Sequence, residues 1–326
     1  MDPATVNPAA SNDRLPFRLN RRPDERIRLL GQTMDLVKPE EVLHFISGRV
    51  SRRLGGIIAN HNAHSLYLLR KNQRFRDFYR RADLVEIDST PLLLWARFTG
   101  RKKSRRFHRC TYLDWREPFW RLAVSGGWRV YYLGGAPGVA DRAARSIAQE
   151  FPGVTIGVRH GYFDMTDPIA CADVLAEIRR FRPQVLLVGM GMPRQEIWID
   201  HNYDALASYI VLPVGAAFDY EAGVQTAAPR WMGKLGVEWL FRLVSDPRRL
   251  FTRYCVEPWS LLQVLAYDWW DARRSSRLEA RRERRKASDV PVGAPRRRAS
   301  DQRGAVRLED YDKALASLDP GQKSAA

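Results

Sequence analysis

Six short apolar runs, each followed by a stretch with helical apolar spacing, leave this chain few architectures to choose from. The runs are Gly56–Asn60, Leu84–Asp88, Arg129–Leu133, Val154–Val158, Gln184–Val188 and Tyr209–Val214. Between them, stretches such as Ser65–Arg81 and Val139–Phe151 repeat apolar residues every three to four positions, as a helix with one buried face does. Alternation of this kind predicts an α/β fold, a mostly parallel sheet with helices on both faces. In such a sheet, ligands gather outside the carboxyl ends of the strands, so the residues just after each run are the ones to read for chemistry.

The length of 326 residues and 45% apolar content are enough for a sizeable core. The ends of the chain differ from its middle. Residues 1–30 are polar and Pro-containing and read as a flexible arm, with the catalytic domain expected over 31–229. Residues 230–271 are rich in Trp, Leu and Arg and read as a helical appendage. Within it Val237, Leu240, Phe241 and Val244 share one helical face, and Pro247 suits the first turn of a new helix. Aromatic and leucine faces beside arginines fit either a membrane interface or packing on the core. Residues 272–326 read as a disordered basic tail. Between Arg273 and Arg298, eleven Lys and Arg face three acids, a surplus of +8 within a total of +17. So large an excess calls for an anionic partner: nucleic acid, an acidic membrane surface or a phosphorylated substrate. Three scattered cysteines, no apolar run of bilayer length and no secretory signal predict a soluble protein of a reducing compartment.

The strand ends hold several candidate residues. The first run ends in Asn60-His61-Asn62, where an Asn can cap the next helix. His61 and His64 lack a third ligand at recognisable spacing, so no metal site is expected. Asp88 ends the second run just before Pro91; it is either a helix cap or a general base. The third run enters Gly134-Gly135-Ala136-Pro137-Gly138, and the fifth enters Gly189-Met190-Gly191-Met192-Pro193, followed by Arg194 and Gln195. Glycines opening a helix let backbone amides approach a phosphate, and two such turns suggest a nucleotide diphosphate. The spacing is not G-x-G-x-x-G, which argues against a dinucleotide dehydrogenase. The sixth run leads to Gly215-Ala216-Ala217-Phe218-Asp219, small residues suited either to a ligand or to tight packing.

These segments resemble a known family. ADLVEIDS, RVYYLGGAPGVA, HGYF, LLVGMGMPRQEIWI, VGAAFDYEAG and APRWMGKLGVEWLFRLVSDPRRLFTRY are similar, in content and order, to the WecG/TagA/CpsF glycosyltransferases. The likeness runs from about Gly56 to Tyr254. It implies a Rossmann-like core and inverting transfer of a sugar from a UDP-sugar to a polyprenyl-diphosphate-linked saccharide. Neither a metal nor a cofactor is implied. The enzyme would sit on the inner face of a bacterial plasma membrane and serve exopolysaccharide or cell-surface polysaccharide assembly. Carried over by motif, Asp88 matches the base, with Arg109 and Gln195 as further catalytic residues. Substrate binding falls to Asn60, Asn62, Gly134, Gly135, Gly138, Tyr162, Gly189, Gly191, Arg194, Asp219, Arg242 and Arg249. The chain departs from the family where Thr-x-Asn becomes Asn60-His61-Asn62, Asp-Gly becomes Asp88-Ser89 and Arg-Arg-Tyr becomes Thr252-Arg253-Tyr254. These replacements fit members that use UDP-glucose, with UDP-N-acetylmannosamine or its uronic acid as the alternative donor.

A basic nucleic-acid-binding protein is the alternative of a different class. It requires its charge on a folded surface beside a recognition motif, whereas nearly half the surplus here lies in the tail.

Overall fold

The structure, a computed structural model, describes residues 26–101, 103–226, 228–270 and 272–274. The rest of the expected N-terminal arm and the basic tail beyond residue 274 lie outside these residues.

The described chain starts with an antiparallel hairpin, β1 (Arg26–Leu29) and β2 (Gln32–Asp35). The boundary expected at residue 30 therefore falls inside a structured element. Ile27, Leu29 and Met34 are buried while Arg26 and Arg28 face out. The turn needs two left-handed residues, Leu30 at φ 52° and Gly31 at φ 78°. Asp35 anchors the hairpin, its Oδ2 accepting the Val85 N–H at 2.8 Å.

All six expected strands form: β3 (Gly56–His61), β4 (Leu84–Ile87), β5 (Arg129–Gly134), β6 (Thr155–Arg159), β7 (Val185–Gly189) and β8 (Ile210–Pro213). They make one sheet in the order β4-β3-β8-β7-β5-β6, parallel throughout. The intervening helices are α1 (Pro39–Ser51), α2 (Ala63–Leu69), α3 (Gln73–Arg81), α4 (Thr90–Phe98), α5 (Tyr112–Ser125), α6 (Val139–Glu150) and α7 (Pro168–Phe181). After β7 come α8 (Arg194–His201) and α9 (Tyr203–Leu206), and after β8 comes α10 (Ala217–Glu221). Strands β7 and β8 are buried along their whole length, which is why their sequences are unbroken apolar runs. Tyr132 on β5 stacks on Phe218 of α10 with ring centroids 3.5 Å apart, joining sheet to helix.

The strand order turns at two places. Between β5 and β7 the chain runs outward to β6 and then back inward to β7 and β8. The other turn lies between β3, which leads outward to β4, and β8; these two strands pair only at Gly56↔Ile210 and Ile57↔Val211. Further along, the Asn60 side-chain amide reaches the Pro213 carbonyl at 3.1 Å. A crevice opens above this point, where an open α/β sheet binds its ligand.

The C-terminal appendage consists of α11 (Arg230–Leu235), α12 (Glu238–Ser245), α13 (Pro247–Phe251), a π-helical turn (Thr252–Val256), α14 (Glu257–Ser260) and a helix over 262–270. Pro247 opens α13, as its position in the sequence predicts. The apolar face of α12 is not buried on the sheet: Leu240 is 45% exposed and Val244 74%. Among the described residues, no helix is long and apolar enough to cross a membrane.

Candidate active site

Two adjoining cavities, of about 310 and 470 Å3, occupy the crevice. Both are lined by Asn62, Asp88, Glu238, Arg242, Arg253 and Tyr254. The first two come from the ends of β3 and β4, and the others from α12 and the π-helical turn. The appendage is thus one wall of the site.

Asp88 continues the β4 ladder, its N–H donating to the His61 carbonyl at 2.9 Å, and so its side chain emerges at the sheet's carboxyl edge. The cap of α4 is Ser89, which accepts the Leu92 N–H, so Asp88 is not spent on capping. Burial pushes its carboxyl up to about 6, while Arg109 and Arg242 pull against that rise. Glu86, two residues earlier on the same strand face, is 4% exposed. Burial, with Asp88 and Asp114 nearby, pushes its carboxyl up to about 8.

Arg109 lies in an extended segment bridged to β4, and the Cys110 N–H donates to the Ile87 carbonyl at 3.1 Å. Its guanidinium donates to Glu238 Oε2 at 2.5 Å and stands 3.9 Å from Asp88 and from Asp114. The other Glu238 oxygen accepts from Arg242. Arg253 makes no hydrogen bond or ion pair among the described residues; its Nε is buried and unpartnered, and its guanidinium stands over the Tyr254 ring. At the far wall, His64 contacts Glu257 at 2.5 Å.

Asn62 caps α2 by accepting the Ser65 N–H at 3.0 Å, so its capping role is real and it also lines both cavities. Gln195 is almost fully buried. Its oxygen accepts the N–H groups of Gly191 and Gly215 at 3.2 Å each, and its amide donates to Glu196 at 2.7 Å. These bonds tie the loop after β7 to the loop after β8. Burial also pushes the Glu196 carboxyl up, to about 7. His61 contacts Ser65 Oγ at 3.0 Å and stacks on Tyr79. Among the described residues, no group of three or more His, Cys, Asp or Glu is placed to hold a metal.

Of the residues singled out in the sequence, the cavities bring together Asn60, Asn62, Asp88, Arg109, Gly191, Gln195 and Arg242. Gly134, Gly135, Gly138, Tyr162, Gly189, Arg194 and Asp219 do not line them. Gly134 and Gly189 serve packing: a Cβ on Gly134 would sit 2.3 Å from the Gly189 carbonyl, and one on Gly189 2.3 Å from the Tyr132 hydroxyl. Tyr162 is exposed, and Arg194 reaches the Gly161 and Phe163 carbonyls at 3.4 Å. The backbone of Arg249 lies in α13; its side chain is outside the described residues. Glu238 escaped notice in the sequence because a Glu opening a helix reads as a dipole partner. Glu86 had a visible signal, since strand alternation puts it on the face of Asp88.

A family model described as the glycosyl transferase WecG/TagA/CpsF family matches residues 27–275. Two curated relatives come from Staphylococcus aureus, strains MW2 and NCTC 8325 / PS 47. Each is named an N-acetylglucosaminyldiphosphoundecaprenol N-acetyl-beta-D-mannosaminyltransferase. Each is 26% identical over 202 residues, which is 59% of this chain and 77% of the relative.

Proposed function

The chain belongs to the WecG/TagA/CpsF glycosyltransferase family, and from that premise we propose that it moves N-acetylmannosamine from a UDP-linked donor onto a polyprenyl-diphosphate-linked N-acetylglucosamine. The names of the relatives favour this donor over the glucose expected from the replaced motif residues, and they supply the acceptor class. The observation that carries the reading is the pairing, in one crevice at the carboxyl edge of the sheet, of the Asp88 carboxylate with the guanidinium groups of Arg242 and Arg253.

The chemistry follows from that pairing. The acceptor hydroxyl attacks the anomeric carbon from the side opposite the UDP, so the configuration inverts. A new C–O bond forms as the bond from the anomeric carbon to the phosphate oxygen breaks. The hydroxyl proton passes to Asp88, which is poised for it by a pKa near the working pH. The leaving diphosphate gains negative charge, and Arg242 and Arg253 stabilise that charge. Gln195 acts indirectly, by fixing the two loops that wall the larger cavity.

The acceptor is a lipid, and the appendage suits a lipid surface. Trp231, Trp239, Leu240, Val244, Phe251 and Trp259 are all exposed along it. Side chains of this kind enter the interfacial region of a bilayer, while neighbouring basic residues each add about 1 kcal/mol near an anionic leaflet. We place the enzyme on the inner leaflet of the plasma membrane, where a UDP-sugar is available.

Mass spectrometry of products from a panel of UDP-sugars, with a polyprenyl-diphosphoryl N-acetylglucosamine acceptor, tests the reading. Addition of an N-acetylhexosamine is the expected result, and Asp88→Asn lowers turnover by about a hundredfold or more. Addition of a hexose instead would restore the glucose donor. Near-normal turnover in the Asn variant would remove Asp88 as the base.

A further inference from the structure

Arg109 is close enough to Asp88 to neutralise it, yet its short contact is with another residue. The guanidinium stands 3.9 Å from Asp88 and 2.5 Å from Glu238, and Glu238 is in turn held by Arg242. The arrangement depends on a small neighbour. A Cβ on Gly233 would fall 2.8 Å from Arg109 Nη1 and 3.2 Å from Glu238 Oε2, so only a glycine there leaves the pair its room. Thr90, buried at the start of α4, donates to the Gly233 carbonyl at 2.8 Å. That bond fixes α11, and with it the approach to α12, against the segment that carries Asp88.

We propose that Glu238 is a positioning residue for the transfer: its carboxylate holds the Arg109 guanidinium away from Asp88, leaving the Asp88 carboxylate free to accept the proton of the attacking hydroxyl. This rests on the reading of Asp88 as the base. An opposite charge in direct contact lowers a carboxyl pKa by about 1–3 units, and a carboxylate paired in that way is a poor base. The other groups facing Asp88 are few. Glu86 lies on its own strand, Asp114 on α5, Tyr220 on α10, Arg242 on α12 and Arg253 on the π-helical turn. Arg242 and Arg253 carry the same charge as Arg109, so neither draws it away from Asp88. Asp114 is also 3.9 Å from Arg109, but it accepts the Thr111 N–H and hydroxyl at 3.0 and 2.7 Å. Among the described residues, Glu238 alone has a close ion pair with Arg109.

The test is the pH dependence of kcat/KM in the full chain. In Glu238→Gln, Arg109 closes on Asp88, and two effects act with the same sign: a negative neighbour is lost and a positive one approaches. The acid limb of the profile moves to lower pH by about one unit, and the plateau falls about tenfold or more. In Glu238→Gln/Arg109→Gln the acid limb returns toward its original position, although the plateau stays low. Glu238→Asp, which keeps the charge but shortens the reach, moves the limb in the same direction by less; it serves in place of the Gln variant if that chain does not fold. A helix-docking role without control of Arg109 would lower the plateau and leave the limb unmoved, and that result overturns the inference. So does a shift to higher pH. Asp88→Asn separates the two readings. If it keeps its turnover, the base assignment fails; if it is inactive and the limb in Glu238→Gln is unmoved, only the role of Glu238 fails.

Discussion

Glu86 shows how one buried acid contributes to the response of the molecule to pH. Its side chain lies in the interior beneath Asp88, one oxygen has no partner, and its carboxyl is pushed up to about 8 from 4.5. The folded chain therefore binds a proton there that the unfolded chain has lost by neutral pH. This contribution to stability is fully present below 4.5 and is lost as pH rises through about 8. His61 works from the other end: burial pushes its ring down to about 3 from 6.5, so stability falls as pH drops between those values. Glu86→Gln removes the first dependence and leaves the second. Urea unfolding at about pH 4.5 and at about pH 8.5 should show the variant gaining on the parent only at the higher value. An equal difference at both would mean that Glu86 is charged in the fold. Asp88 was legible in the sequence because it ends an apolar run before a helix. Strand alternation puts Glu86 on the face of Asp88, but its burial was not legible, because an acid inside a strand looks like any solvent-facing alternate until the layer covering it is known.

At the scale of elements, the six strands and the π-helical appendage had different visibility. Runs such as Val185–Gly189 are apolar at every position because both faces are covered, and their short length marks them as strands rather than buried helices. The hairpin of β1 and β2 was hidden, since its alternation of Arg26, Ile27, Arg28 and Leu29 adjoins a polar stretch. Gly134 and Gly189 look like phosphate loops in the sequence; the close approach that the structure shows at them is to each other's strands and to Tyr132. The helix over 262–270 also has a purpose invisible in sequence. Its Asp268, 4% exposed, accepts the Leu30 N–H at 2.9 Å and the Trp95 indole N–H at 3.0 Å, and pairs with Arg101 at 2.7 Å. One carboxylate thus joins the hairpin, α4 and the appendage. Asp268→Ala strands two buried donors and a guanidinium, and should cost about 3 kcal/mol in chemical unfolding. A loss below about 1 kcal/mol would mean that the helix is held by its apolar contacts instead.

On the proposed reading, the work divides between a sheet that carries the base, Asp88, and an appendage that carries Arg242 and Arg253 and would meet the lipid. Removing everything after Pro229 deletes Glu238, Arg242 and Arg253 together, so transfer should vanish even with a short-chain acceptor that needs no membrane. Full activity in that chain would reduce the appendage to an anchor. The anchoring can be tested separately, because some side chains of the exposed apolar face do not line the cavities. Val244 is 74% exposed and Phe251 57%, and neither lines either cavity. Burying such side chains in a bilayer interface contributes roughly 1.5–3 kcal/mol each, and a carboxylate put in their place is repelled by an anionic leaflet. Val244→Asp/Phe251→Asp should therefore weaken sedimentation with phosphatidylglycerol-containing vesicles by at least about a hundredfold, since about 1.4 kcal/mol is a factor of ten. Transfer to the short-chain acceptor should stay close to that of the parent, because the guanidinium groups and Asp88 are untouched. If vesicle binding is unchanged, this face does not meet the membrane. If transfer to the short-chain acceptor is lost as well, α12 and α13 cannot be altered on their outer face without moving Arg242, and the division of labour fails.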